Sequence, residues 1–204
     1  MAQPSAGARS LEGSCQGLLR VSGWRSPIRG YAQRWDVLSR GVAADGAPVI
    51  SITAPGAIKV SRPDIPVLFS HDASRRYAST REATLDVWAD AYGLAFEFIP
   101  PSTPRGFSLV CGITEQRYCE CSCGLDNVAS YQTDASSHRF VIAAADLTEI
   151  SVLPRGGCPG SACWSSASPL HGLSVAAREA LPHWLNGQKG RRTWNCHREM
   201  PNVA

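Results

Sequence analysis

Three short segments of this chain carry side chains that could cooperate in catalysis. Pro66-Val67-Leu68-Phe69-Ser70-His71-Asp72 is a buried-strand pattern that ends on a histidine. Glu120-Cys121-Ser122-Cys123-Gly124-Leu125 sets a serine inside an alternating strand. Asp146-Leu147-Thr148-Glu149-Ile150-Ser151-Val152-Leu153 sets a glutamate inside a third. A serine hydroxyl is inert as a nucleophile until a base takes its proton, and the base works best when an acid orients it. His71, Ser122 and Glu149 supply one side chain of each kind, provided that neighbouring strands bring them together.

The surroundings of each residue suit that chemistry. His71 lies just beyond an apolar strand, where an imidazole can stay neutral and accept a proton at pH 7. Glu149 interrupts an apolar strand, and a buried carboxylate needs a partner. Cys119, Cys121 and Cys123 alternate, so in a strand they share one face while Glu120 and Ser122 share the other. Reduced cysteine packs as a small hydrophobe, which reads the thiol face as core and leaves Ser122 free to face a cleft. Metal binding and disulfide formation are the alternatives for these cysteines. Asp72 adjoins His71, but adjacent strand residues point oppositely, which favours Glu149 as the orienting acid. Cys121 and Cys123 are the competing nucleophiles, and no motif supports a thiol mechanism. His138, His171, His183 and His197 fall in polar or C-terminal segments. Each residue also has a plain reading: a surface or capping histidine, a serine packed in a strand, a glutamate facing solvent on an edge.

Composition narrows the setting. The 204 residues are enough for one well-buried domain, and 44% are hydrophobic. A net charge of +3 gives no reason to invoke nucleic acid or an anionic membrane. Met1 to Ser14 lacks the apolar stretch of a secretory signal, and no run reaches the roughly 20 apolar residues of a membrane span. A soluble intracellular protein is expected, with no cofactor. The eight cysteines fit a disulfide framework poorly in that setting. Zinc ligands usually come in pairs spaced by two to four residues, a pattern that CxCxC with a distant Cys158 and Cys163 does not follow.

The elements that must position the three residues are mostly strands. Residues 1–27 lack periodicity and read as a flexible N-terminal arm. Ile28 to Trp35 and Val49 to Ile52 read as strands around a turn at Asp45-Gly46-Ala47-Pro48. Ala54-Pro55-Gly56-Ala57 breaks the pattern and could open a short helix ended by Pro63. Val67 to Ser70 delivers His71. Thr84 to Ala89 and Leu94 to Ile99 flank Asp90-Ala91-Tyr92-Gly93, a hairpin signal. Pro100 to Pro104 reads as a loop, and Arg105 to Gln116 fits strand or helix. Tyr118 to Leu125, Arg139 to Ala143 and Leu147 to Leu153 complete the strands. The folded domain is expected over 28–155, followed by a Gly/Ser/Pro/Cys-rich, weakly structured tail over 156–204. In that tail Leu173 to Leu185 alone has a helical pattern, broken by Pro182. The class expected is mainly β, a β-rich α+β barrel or sandwich.

The order of these segments resembles the prohead (capsid maturation) serine proteases of tailed bacteriophages, the HK97-type head proteases. Ile28-Arg29-Gly30-Tyr31-Ala32 looks like the family's opening strand, and Ala54-Pro55-Gly56-Ala57 is similar to its proline-glycine-alanine motif. Pro66 to Asp72 looks like its strand ending in histidine-aspartate. Ser122-Cys123-Gly124-Leu125 and Leu147-Thr148-Glu149-Ile150-Ser151-Val152 look like its serine-x-glycine and leucine-x-glutamate-hydrophobic-serine strands. The resemblance spans roughly residues 28 to 155. It implies a partly closed β-barrel with a few flanking helices, like the herpesvirus assembly proteases, with Ser122 as nucleophile, His71 as general base and Glu149 as its orienting partner. It also implies an endopeptidase in the host cytoplasm, inside an assembling procapsid, that cuts the major capsid protein or a scaffold protein, and often itself. A homodimer is expected from the same relationship. The rivals are an inactive capsid assembly module on the same fold and a small zinc-binding module.

Overall fold

The computed structural model describes residues 26–43, 46–133, 139–154, 156, 158–166 and 168–188. Apart from Ser26 and Pro27, the arm expected over 1–27 lies outside the described residues. The spine is one long strand, β10 (Arg139–Leu153), which merges the two strands expected at Arg139 and Leu147. They fuse because Ala145 and Asp146 remain paired, in parallel, with the two-residue strand β4 (Ile58–Lys59). Along the same edge β10 also takes β3 (Pro48–Thr53) and β5 (Pro66–Phe69) in parallel. Its other edge pairs antiparallel with β9 (Glu120–Gln132), which has no further strand partner among the described residues. β2 (Leu38–Val42) and β6 (Asp72–Ser79) complete a seven-stranded sheet.

A second sheet of four strands runs in the order β11 (Ala162–Ser165), β1 (Ile28–Arg34), β8 (Gly93–Phe98), β7 (Leu85–Ala89). β7 and β8 form the hairpin expected around Asp90 to Gly93. One core joins the two sheets: Ile28, Phe96 and Phe98 from the smaller meet Val67, Phe69, Leu147, Ile150 and Val152 from the larger. The protein is therefore β-rich, but among the described residues its strands form two sheets and no closed barrel. Between the sheets, β9 and β11 approach through a backbone bond from Cys163 to Cys119 and through the Ser161 hydroxyl, not through a continuous ladder.

Two further expectations are corrected, and one open segment is settled. Ala54 to Ala57 opens no helix. Gly56 takes φ +71 in a tight turn, Ala54 and Ala57 bond to β10 on either side, and the chain enters β4. The open edge of β10 offers this segment partners that an isolated helical turn lacks. The proline run is a loop through Thr103, as expected, and helix α1 (Pro104–Thr114) settles the undecided segment that follows it. Thr103 accepts the Gly106 amide as N-cap, and proline fits the first helical position, where no amide bond is lost.

The second correction concerns the tail. Across 158–166 and 168–188 the chain is folded: β11 pairs with β1, and α2 (Val175–Gly187) buries Ala177, Ala180 and Trp184. These pack with Tyr31, Ala95, Ala162, Trp164 and Leu173 in a second core on the smaller sheet. Gly30 permits the β11 pairing, because a Cβ there would lie 2.2 Å from the Ala162 carbonyl oxygen. Pro182 does not break the helix. It removes the bond to the Arg178 carbonyl, on an exposed turn, while the apolar face stays anchored. Helical stability here comes from the packed face more than from local propensity.

Candidate active site

The site is built across β5, β10 and β9. Register fixes the placement: on β10, Ser151 stands opposite Leu68 of β5 on one side and Ser122 of β9 on the other. Glu149, two residues earlier on the same face, stands opposite Gly124. The opposite face carries Cys121, Ile150 and Val152, all completely buried, with Cys123 half-buried against the same core, while Cys119 precedes β9 and is only half-buried. Ser122 is thereby turned to the face that holds Glu149 and Ser151, half-buried.

His71 reaches this face from a turn, not from the strand itself. β5 and β6 are joined by Ser70 and His71, with φ of 53° and 60°. Two successive left-handed residues are what a type I′ hairpin loop demands, and Asn-Gly usually fills it. Serine and histidine in these positions are strained, a state that persists only where surrounding contacts enforce it. One such contact runs from the His71 amide to Ser151 Oγ, at 3.0 Å.

His71 Nδ1 lies 2.6 Å from Glu149 Oε1. The second carboxylate oxygen, Oε2, accepts the Ser151 hydroxyl at 2.8 Å. Glu149 is shielded, its side chain 13% exposed against 50% for the histidine ring. The hydrogen bond to Glu149 raises the His71 pKa above the ordinary imidazole value; partial burial opposes that rise and the carboxylate charge adds to it. With Nδ1–H given to the carboxylate, Nε2 is the ring atom left to accept a proton.

Of the three residues singled out in the sequence, the fold brings His71 and Glu149 into direct contact. Ser122 lies on the adjoining strand and the same face, and among the described residues no hydrogen bond joins it to His71. Catalytic hydrogen bonds are often long before substrate binds. Asp72 is engaged elsewhere: its carboxylate accepts the Ser74 amide and hydroxyl, which holds its pKa below the usual carboxylate range. The thiols flanking Ser122 are unsuited to attack, because burial pushes Cys123 up to about 12 and Cys121 well above its usual value. His183 stacks on Tyr92 at 4.2 Å, and His171 sits in a single 3₁₀ turn (Leu170–Gly172). His138 and His197 lie outside the described residues. No group of three or more His, Cys, Asp or Glu side chains is placed to hold a metal among the described residues.

Two residues of the site had no assigned role in the sequence reading. Gly124 is the floor beneath Glu149: a Cβ there would fall 2.9 Å from both Cγ and Oε1 of Glu149, and 2.5 Å from Thr148 Oγ1. Ser151 is completely buried and touches both Glu149 and His71. The signal for each is the strand period, since Ser151 is two residues from Glu149 and Gly124 is two from Ser122.

No curated protein matches the chain. The family model of the caudovirus prohead serine proteases does match, over residues 20–169, which takes in β1 to β11 and all three residues of the site. This coverage, with a histidine–glutamate pair and a serine on one face of one sheet, identifies the chain as a member of the caudovirus prohead serine protease family.

Proposed function

We propose that the protein is a serine endopeptidase of procapsid maturation in which Ser122 is the nucleophile, His71 the general base and Glu149 its orienting acid. The observation that carries this reading is the 2.6 Å contact between His71 Nδ1 and Glu149 Oε1 on the face that Ser122 shares. Nε2 takes the Ser122 proton as Oγ attacks the scissile carbonyl carbon. The imidazolium so formed is stabilised by the Glu149 carboxylate. The tetrahedral intermediate collapses to an acyl-enzyme, and Nε2–H protonates the departing amine. Water, deprotonated by the same nitrogen, then releases the acyl group.

The substrates of this reading are the major capsid protein or a scaffold protein inside the procapsid, and the chain itself. The high local concentration inside a shell makes modest affinity sufficient. A homodimer belongs to the same proposal. Co-expression with the capsid protein, followed by intact-mass analysis, tests it. Wild type is expected to yield discrete cleavage products that Ser122→Ala does not. Uncleaved capsid protein and an untrimmed enzyme in both samples would favour the inactive assembly module.

A further inference from the structure

Resting on that reading of the triad, we propose that Ser151 is a positioning residue whose hydroxyl ties the Glu149 carboxylate to the backbone of His71, holding acid and base as one unit. Three contacts close a ring. Ser151 Oγ donates to Glu149 Oε2 at 2.8 Å, Glu149 Oε1 meets His71 Nδ1 at 2.6 Å, and the His71 amide donates back to Ser151 Oγ at 3.0 Å. A hydroxyl has one proton and two acceptor sites, so both kinds of capacity are used within the ring.

The ring opposes two motions. A glutamate has three side-chain torsions, and the contact at Oε2 removes the freedom that the single contact at Oε1 leaves. The histidine sits on a left-handed turn whose sequence does not favour it, and its amide is anchored to the same hydroxyl. Ser151 can do both because it lies two residues from Glu149 on β10 and stands beside β5, whose end leads into the turn that carries His71. Ser161, equally buried, offers a contrast: its hydroxyl bonds the amide and carbonyl of Cys121 and touches no member of the site. Among charged neighbours, Asp72 is held by Ser74, and the Arg75 guanidinium lies over the Phe69 ring. Glu149 is thus the charged group in contact with the imidazole.

The test reads His71 directly and needs no substrate. In a Ser122→Ala chain the His71 imidazole is titrated by NMR, its signal assigned by loss in His71→Gln. Ser151→Ala is expected to lower the midpoint toward the ordinary imidazole value, and Ser151→Thr, which keeps the hydroxyl, to hold it up. Adding Ser151→Ala to Glu149→Gln is expected to change nothing further, since residues acting through one contact are not additive. Ser151→Cys keeps the volume with only a weak donor, and shows the same fall should the alanine variant fail to fold. On the active chain Ser151→Ala lowers kcat roughly tenfold with KM unchanged, the scale of one hydrogen bond. A wild-type midpoint, or a higher one, in folded Ser151→Ala or Ser151→Cys overturns the proposal. Absence of cleavage by wild type would instead overturn the protease reading and leave the titration result standing.

Discussion

At the scale of single residues the proposed reaction turns on one proton, and pH is the lever that reports it. In the proposed role His71 must be neutral to accept a proton, and its pKa is raised by the bond to Glu149. Activity is therefore expected to rise with pH through a midpoint above that of a free imidazole. Glu149→Gln removes the cause of the rise, so the acidic limb of kcat/KM moves down in pH while the plateau falls by about 10²–10⁴-fold. An acidic limb that does not move would mean that Glu149 does not face the catalytic base. Linkage has the matching sign. A raised histidine pKa contributes stability below the unfolded pKa of about 6.5, and that contribution fades as pH rises through the folded value. In the Ser122→Ala background, the drop in Tm caused by Glu149→Gln is expected to be larger near about pH 6 than at about pH 9. The flanking thiols make a separate prediction. Because burial keeps Cys121 and Cys123 protonated, iodoacetamide at neutral pH should leave cleavage intact, whereas a serine-directed fluorophosphonate should label Ser122 and abolish it. Loss of activity on alkylation, with peptide mapping to Cys123, would contradict this.

At the scale of elements, strand pairing decides which backbone can approach which side chain. β9 and β10 are drawn together at Gly124 and Glu149 with no room for a methyl group between them. Gly124→Ala is expected to cost about 1–3 kcal/mol of stability, as overpacking typically does, and to displace the carboxylate. Its signature is a loss of kcat larger than the stability loss explains, measured by cleavage assay beside denaturant unfolding. An alanine variant with wild-type kcat would show that the carboxylate has space to spare. The helix cap provides a contrast. Thr103 caps α1 through the Gly106 amide and touches no residue of the site. Thr103→Ala should cost about 1 kcal/mol while kcat stays unchanged.

At the scale of the whole molecule, residues 158–166 and 168–188 are a structural part of the fold. β11 covers the edge of β1, and α2 seats Trp184 against Trp88 and Trp164 on the outer face of the smaller sheet. Removing everything after residue 154 would uncover Tyr31, Ala95 and the β1 edge together, an apolar and hydrogen-bonding surface prone to aggregation. Such a chain is expected to be insoluble or to unfold without a cooperative transition. Trp184→Ala, a milder change, should cost about 3–5 kcal/mol. A truncated chain with the wild-type Tm would restore the boundary near residue 155.

Local pattern determined much of this protein. Alternation placed Cys121 and Cys123 on the core face and Ser122 opposite them, and the apolar strands before His71 and around Glu149 are where the sequence puts them. The family was legible for the same reason: its motifs are strand-length, and strand period is a local property. Tertiary structure decided the rest. The turn that carries His71 is left-handed at two residues, and the β5–β6 pairing together with contacts from β10 holds it there. Pro182 and the Gly/Ser-rich approach to β11 look like the signs of a loose tail, and distant partners overrule them. A residue's propensity is set by its neighbours in the chain and is worth a few tenths of a kcal/mol, whereas burial against another sheet is worth several times more.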